Sequence, residues 1–218
     1  MRGNGLKTKG IFFDLDGTIV DSTEAYIEAA RIAFQTTGQK LPANETALEI
    51  PKRLEQGFSI ADITNGDSEK FLSVYMKSYY SITQQKTKLI PNVSVTLKAL
   101  SEKNKLALIT MRNVPKQAII KELEFFGISK YFSAVVTAQD TFKPKPSPEA
   151  IISCVQALDV EVCDCIIAGD SVNDVRAGKA AGTRTVAVLS GLFRSEELVK
   201  EDPDLILNDV TVLPRFIE

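Results

Sequence analysis

The chain predicts an α/β fold: a mostly parallel sheet flanked by helices, interrupted after its first strand by an all-helical insertion. Three observations carry this. Short apolar runs recur along the 218 residues and stop at acidic, hydroxyl or glycine residues, as strands buried on both faces do. Between most of them lie helical patterns of about 10–15 residues, the signature of βαβ crossovers. From about Ser22 to Lys88 the alternation fails, and only amphipathic helical stretches appear.

The first run, 10–15 (GIFFDL), ends on acidic residues followed by Gly17. Helical patterns then occupy 22–37, 44–56 and 67–84, punctuated by Pro42, Pro51, Gly57 and Gly66. Within them Tyr26, Ile27, Ala30, Phe34, Phe71, Val74 and Tyr75 fall at helical spacing and read as the insertion's own core. Strand patterns resume at 105–110, 133–137, 165–169, 184–189 and 204–207, with helical ones at 93–103, 114–126, 148–158 and 172–181. Ser147 before Pro148 is a good helix start, and Asn113 with Pro115 opens the helix at 114. The expected domains are therefore a discontinuous Rossmann-like core, 1–20 and 87–218, and a helical domain, 21–86.

Composition narrows the chemistry. Lys+Arg number 26 against 28 Asp+Glu, a net charge of −2, so no bulk electrostatic grip on nucleic acid or a membrane surface is expected. The chain has no histidine. Ser-His-Asp and Cys-His relays are excluded within it, and any proton transfer near neutral pH falls to carboxylate, Lys, Tyr or Cys. Cys154, Cys163 and Cys165 are an odd number in a chain this long, read as reduced thiols in a cytoplasmic setting. Cys163 and Cys165, two apart, are expected to share one face of a strand. The segment MRGNGLKTKG has no apolar signal region.

In a parallel sheet, ligands bind beyond the carboxyl ends of the strands. The first strand here ends on Asp14-Leu15-Asp16-Gly17-Thr18, the second on Thr110, and the fourth on Gly169-Asp170-Ser171 with Asp174 beyond. On a strand, Asp14 and Asp16 would aim to one side, with Gly17 permitting the turn that follows. Clustered carboxylates repel and need a cation. With no histidine nearby, a hard oxygen-seeking ion fits best, and Mg²⁺ first.

FFDLDGTIVDS resembles the first motif of the haloacid dehalogenase-like hydrolases, and Thr110 stands where their second motif places a hydroxyl. KPSPEAI (145–151) resembles their lysine-bearing third motif, and GDSVNDVRAG (169–178) their fourth. A helical cap between the first two motifs resembles the phosphoglycolate phosphatase and β-phosphoglucomutase branch. The resemblance implies Asp14 as nucleophile forming an aspartyl-phosphate and Asp16 as proton donor, then acceptor. It implies Mg²⁺ held by the Asp14 carboxylate, the Asp16 backbone carbonyl and Asp170, with Asp174 a direct or water-mediated ligand. An aspartate at position 16 implies phosphoryl transfer rather than dehalogenation, since halide leaves without a proton. Lys145 is preferred to Lys143 as the charge-neutralising lysine: it lies two residues before Ser147, where the helix entry fixes its direction, and its distance of 25 residues to Asp170 is the spacing that the resemblance implies.

Thr110 and the Met111 backbone N–H are expected to hold a phosphate oxygen. Many relatives have Asn at position 111; here Met111 and Arg112 follow, and Arg112 is a candidate for the phosphate or an acidic leaving group. Gly17, Thr18 and Ser171 are expected to orient the site. Lys52 and Arg53, in a segment (49–53) expected at a junction between helices, are candidates for an anionic substrate tail. The implied activity is a Mg²⁺-dependent phosphatase for a small phosphorylated metabolite, phosphoglycolate-like or a sugar phosphate, whose cap closes over the substrate. The alternatives are a phosphomutase and a binding protein on the same fold. Oligomeric state is not readable from the sequence.

Overall fold

The computed structural model describes residues 7–65 and 67–217. The reading of the first six residues and of Gly66 as a breaker lies outside them. Asp21–Lys88 form one compact unit, and the chain on either side forms the other.

The core unit is a six-stranded, wholly parallel sheet: β1 (Gly10–Phe13), β4 (Lys105–Ile109), β5 (Phe132–Val136), β6 (Cys165–Gly169), β7 (Arg184–Val188) and β8 (Leu205–Leu207). The order is β5-β4-β1-β6-β7-β8, so the first strand is central and the chain leaves it first one way, then the other. Two shorter strands, β2 (Val20–Asp21) and β3 (Lys88–Leu89), pair where the chain passes out of the core and back. Two residues each is too short for a periodic signal, which is why the sequence shows neither.

The period of two sorts the side chains. Ile11 and Phe13, Leu106 and Leu108, and Ile166 and Ala168 enter one apolar cluster. Phe12, Ala107, Ile109, Cys165 and Ile167 enter the cluster on the opposite face. Helices cover the sheet: α5 (Val93–Ser101), α6 (Lys116–Phe125), α7 (Glu149–Leu158), α8 (Val172–Ala181) and α9 (Ser195–Lys200). Ser147 does not cap α7: the helix begins at Glu149, one residue later than expected, with Pro148 at the cap position, and Ser147 Oγ accepts only a 3.4 Å bond from the Glu149 N–H. Asn113 does not open α6; Pro115 stands immediately before it, since a proline cannot supply an intrahelical N–H but suits a first turn.

The inserted unit holds α1 (Thr23–Thr36), α2 (Asn44–Glu55), α3 (Ala61–Thr64) and α4 (Ser68–Lys86). Asp67 caps α4, accepting from the Lys70 N–H at 3.0 Å. Ala30, Phe34, Phe71 and Tyr75 are buried in its core, Tyr26 and Val74 pack against them, and Ile27 is half-buried. Phe34 and Phe71 meet edge to face at 4.7 Å. Residues 49–53 lie inside α2 rather than between helices. Pro51 lacks the N–H that would reach residue 47, yet the turns on both sides continue through it.

One expectation about the cysteines is corrected. Cys165 is buried in β6, but Cys163 is exposed in a 3-10 turn, Val162–Asp164, because the strand begins only at Cys165. Among the described residues no helix is long and apolar enough to cross a membrane.

Candidate active site

The carboxyl ends of β1, β4 and β6 lie side by side at the centre of the sheet, and each delivers polar groups. β1 stops at Phe13, so the two-residue period does not govern Asp14 and Asp16, and their carboxylates take different partners. The Asp14 N–H still bonds to the Ala168 carbonyl at 2.9 Å, continuing the ladder for one residue. The chain then turns tightly: the Leu15 carbonyl accepts from Ile19 at 2.9 Å and Val20 at 3.0 Å. Gly17 makes this turn at φ 77°, a conformation few side-chain-bearing residues adopt.

Lys145 reaches into the core from the loop before α7. Its Nζ donates to Asp14 Oδ1 at 2.5 Å and Asp174 Oδ1 at 2.6 Å, with 1% of its side chain exposed. Lys143 is exposed. Glu149 closes this loop by accepting from the N–H groups of Phe142 at 2.7 Å and Lys143 at 3.0 Å.

After β6, Ser171 caps α8, its Oγ accepting from Asn173 at 3.2 Å and Asp174 at 3.3 Å. Asp174, in the first turn, returns the bond through Oδ2 to the Ser171 N–H and hydroxyl. This capping box places the Asp174 carboxylate at the positive end of a helix. Asp170 accepts from the Thr18 hydroxyl at 3.3 Å and the Leu192 N–H at 3.1 Å. Carboxylate oxygens of Asp14, Asp170 and Asp174, all buried, lie within 4.8 Å of one another.

Three glycines make room for this cluster. A Cβ on Gly191 would stand 1.7 Å from Asp170 Oδ2, and one on Gly169 would stand 2.1 Å from Asp174 Oδ2. One on Gly17 would stand 2.6 Å from Asp170. Lys145 offsets one of the three negative charges, leaving two. A buried, all-carboxylate donor set with that residual charge suits a divalent, oxygen-seeking ion, so the residues present fit Mg²⁺. The Asp16 carboxylate is not a member of the cluster.

Asp16 instead faces Arg112. The guanidinium grips it with two bonds, Nε to Oδ2 at 2.8 Å and Nη2 to Oδ1 at 2.7 Å, while Nη1 donates to Glu122 Oε2 at 2.5 Å. Arg112 and Glu122 side chains are 4% and 7% exposed. Thr110 is buried, its N–H bonded to the Val136 carbonyl at 2.9 Å and its hydroxyl accepting from the Arg112 N–H at 3.2 Å. Met111 is half-buried.

The core thus brings together Asp14, Lys145, Asp170, Asp174, Thr18 and Ser171, and separately Asp16 with Arg112. Lys52 and Arg53 belong to the inserted unit: Lys52 is buried, and Arg53 pairs with Asp62 at 2.6 Å. Sequence reasoning missed Glu122 and Gly191. Glu122 carried a usable signal, a charge between Ile119 and Leu123 on the buried stripe of α6. Gly191 carried none, because it lies in the irregular stretch after β7.

A family model described as Haloacid dehalogenase-like hydrolase matches residues 11–188. The chain is 29% identical to a pyrophosphatase PpaX of Halalkalibacterium halodurans, covering 92% of each chain. It is 26% identical to a phosphoglycolate phosphatase of Pseudomonas fluorescens, over 93% of this chain and 77% of that protein. A haloacid dehalogenase-like family hydrolase from Streptococcus pneumoniae superposes with a TM-score of 0.80 at 21% identity, covering 96% of this chain and 98% of that one.

Proposed function

The chain belongs to the haloacid dehalogenase-like hydrolases, and from that premise we propose that it is a Mg²⁺-dependent phosphatase of small phosphorylated metabolites, working through an aspartyl-phosphate. The observation that carries the reading is the Lys145 ammonium seated between Asp14 and Asp174, beside Asp170. An anionic nucleophile meeting an anionic substrate needs such charge compensation.

An Asp14 carboxylate oxygen attacks phosphorus. The bond from phosphorus to the leaving oxygen breaks, its electron pair stays on that oxygen, and Asp16 supplies the proton. Asp16 then takes a proton from the water that attacks the phosphoryl group, releasing phosphate and restoring Asp14. Lys145 holds the Asp14 carboxylate in place and neutralises charge as the phosphoryl oxygens arrive. Thr110, the Met111 N–H and Ser171 bind those oxygens, with Gly17 and Thr18 shaping the turn around them. Asp14, Asp170, Asp174 and the Asp16 carbonyl would hold Mg²⁺, which supplies positive charge against the phosphoryl oxygens. Lys52 and Arg53 are specificity candidates, read out by KM across substrates of differing tail charge.

Relatives named as phosphoglycolate phosphatase and as pyrophosphatase define the substrate panel: phosphoglycolate, sugar phosphates and inorganic pyrophosphate. Phosphate release is measured with Mg²⁺ or with chelator, beside Asp14→Asn. The expected result is release that needs both the ion and Asp14. Equal release by wild type and variant would remove the mechanism. Isomerised sugar phosphate without phosphate release would identify a mutase, and no turnover of any compound would identify a binding protein.

A further inference from the structure

Glu122 has no role in the chemistry above, yet its carboxylate is buried on the apolar stripe of α6 between Ile119 and Leu123. Packing alone would fill that position with an aliphatic side chain, because a buried charge is costly unless it is paired. Replacing a buried ion network by apolar residues is often neutral for stability, so stability alone does not account for three charged groups in a row. The arrangement itself suggests what they do. Glu122 takes Nη1 of Arg112, which leaves the Nε and Nη2 edge of the same planar guanidinium for both oxygens of Asp16. A fork held at its far side fixes the plane and direction of the carboxylate it grips.

We propose that Glu122, through Arg112, is a positioning residue for Asp16: the pair holds the ionised carboxylate at a fixed place beside the site, and Asp16 gives up one of its two guanidinium bonds when it carries a proton to the leaving oxygen. The inference rests on the reading of Asp16 as proton donor. A misdirected donor costs most where the leaving group needs a proton. An alkyl phosphate leaves as a strongly basic alkoxide, whereas a nitrophenyl phosphate leaves as a stable anion that needs none. The ratio of kcat/KM for the two substrates therefore reports donor placement through the first irreversible step. It is insensitive to any loss of folded enzyme, which lowers both values equally.

The test measures that ratio for wild type, Glu122→Gln, Arg112→Lys and Asp16→Asn, with Mg²⁺ present. General acid catalysis is worth about 10²–10⁴-fold. Glu122→Gln should lower kcat/KM for the alkyl phosphate roughly tenfold or more, and that for the aryl phosphate less than about twofold; Arg112→Lys should lower the alkyl-to-aryl ratio by a similar factor, whatever it does to both values through the phosphate. In an Asp16→Asn background, Glu122→Gln should cause no further change in the ratio. An equal fall for both substrates, or an additive effect in the double variant, would overturn the proposal. Full alkyl phosphate turnover by Asp16→Asn alone would instead overturn the reading of Asp16 on which it rests.

Discussion

Replacing Lys145 by alanine removes the ammonium that touches both Asp14 and Asp174 and leaves three buried carboxylates within 4.8 Å. At an effective dielectric of about 20, two like charges at that separation repel by roughly 3 kcal/mol. Breaking a buried charge pair from one side costs about 3–5 kcal/mol. For a chain of this size each kcal/mol moves Tm by about 2–4 °C, so Lys145→Ala in chelator should melt roughly 6–20 °C below wild type. Saturating Mg²⁺ should recover much of the loss, because the ion binds the folded cluster and not the unfolded chain. Turnover should not recover with it; losing a preorganised charge at the reacting group costs about 10²–10³-fold in kcat. Lys143→Ala is the control, since Lys143 is exposed; it should change stability by less than about 0.5 kcal/mol. Paired melts with and without Mg²⁺, and kcat for both variants, decide it. Equal losses in the two variants, or a wild-type Tm for Lys145→Ala in chelator, would refute the reasoning.

Gly191→Ala places a Cβ 1.7 Å from Asp170 Oδ2, so Mg²⁺ affinity by titration calorimetry should fall about 10- to 100-fold, as for a displaced ligand support; unchanged affinity would show that Asp170 does not hold the ion. Ser171→Ala removes the α8 cap and should cost about 1 kcal/mol in urea unfolding. Burial pushes the Cys154 thiol up to about 12 and the Cys165 thiol up to about 11, while Cys163 is exposed. A thiol reagent at pH 8 should therefore label one cysteine in the native protein and all three in denaturant. Because those two folded-state values are raised, their contribution is fully present below the ordinary thiol value of 9.0 and is lost as pH climbs from there through about 11–12. A stability that stays flat across that alkaline window would contradict this.

The strands and most helices were legible because burial on both faces writes itself as unbroken apolar runs such as Leu106–Ile109 and Ile166–Ala168. Lys145 is preferred to Lys143 partly because a helix start close behind it restricts where the loop can point, and partly on the spacing to Asp170 that the family resemblance implies, which no physical period supplies. Other features escaped for local reasons. Asp14 and Asp16 separate because β1 stops at Phe13, and a strand's last residue is set by its neighbours in the sheet rather than by its own side chains. Arg112 and Glu122 are ten residues apart, on a loop and a helix, and no period joins them. Pro51 is a helix breaker by residue type, yet the surrounding turns carry α2 through it.

The central claim is that Asp14 becomes phosphorylated during turnover, and borohydride reduction tests it most directly. Acyl phosphates are reduced by borohydride to alcohols, so enzyme quenched in acid during turnover and then reduced should carry homoserine at position 14. Peptide mass mapping should find that product only when substrate and Mg²⁺ are both present, and nowhere else in the chain. Continued phosphate release with no reduced residue, or a reduced residue at another aspartate, would contradict the account.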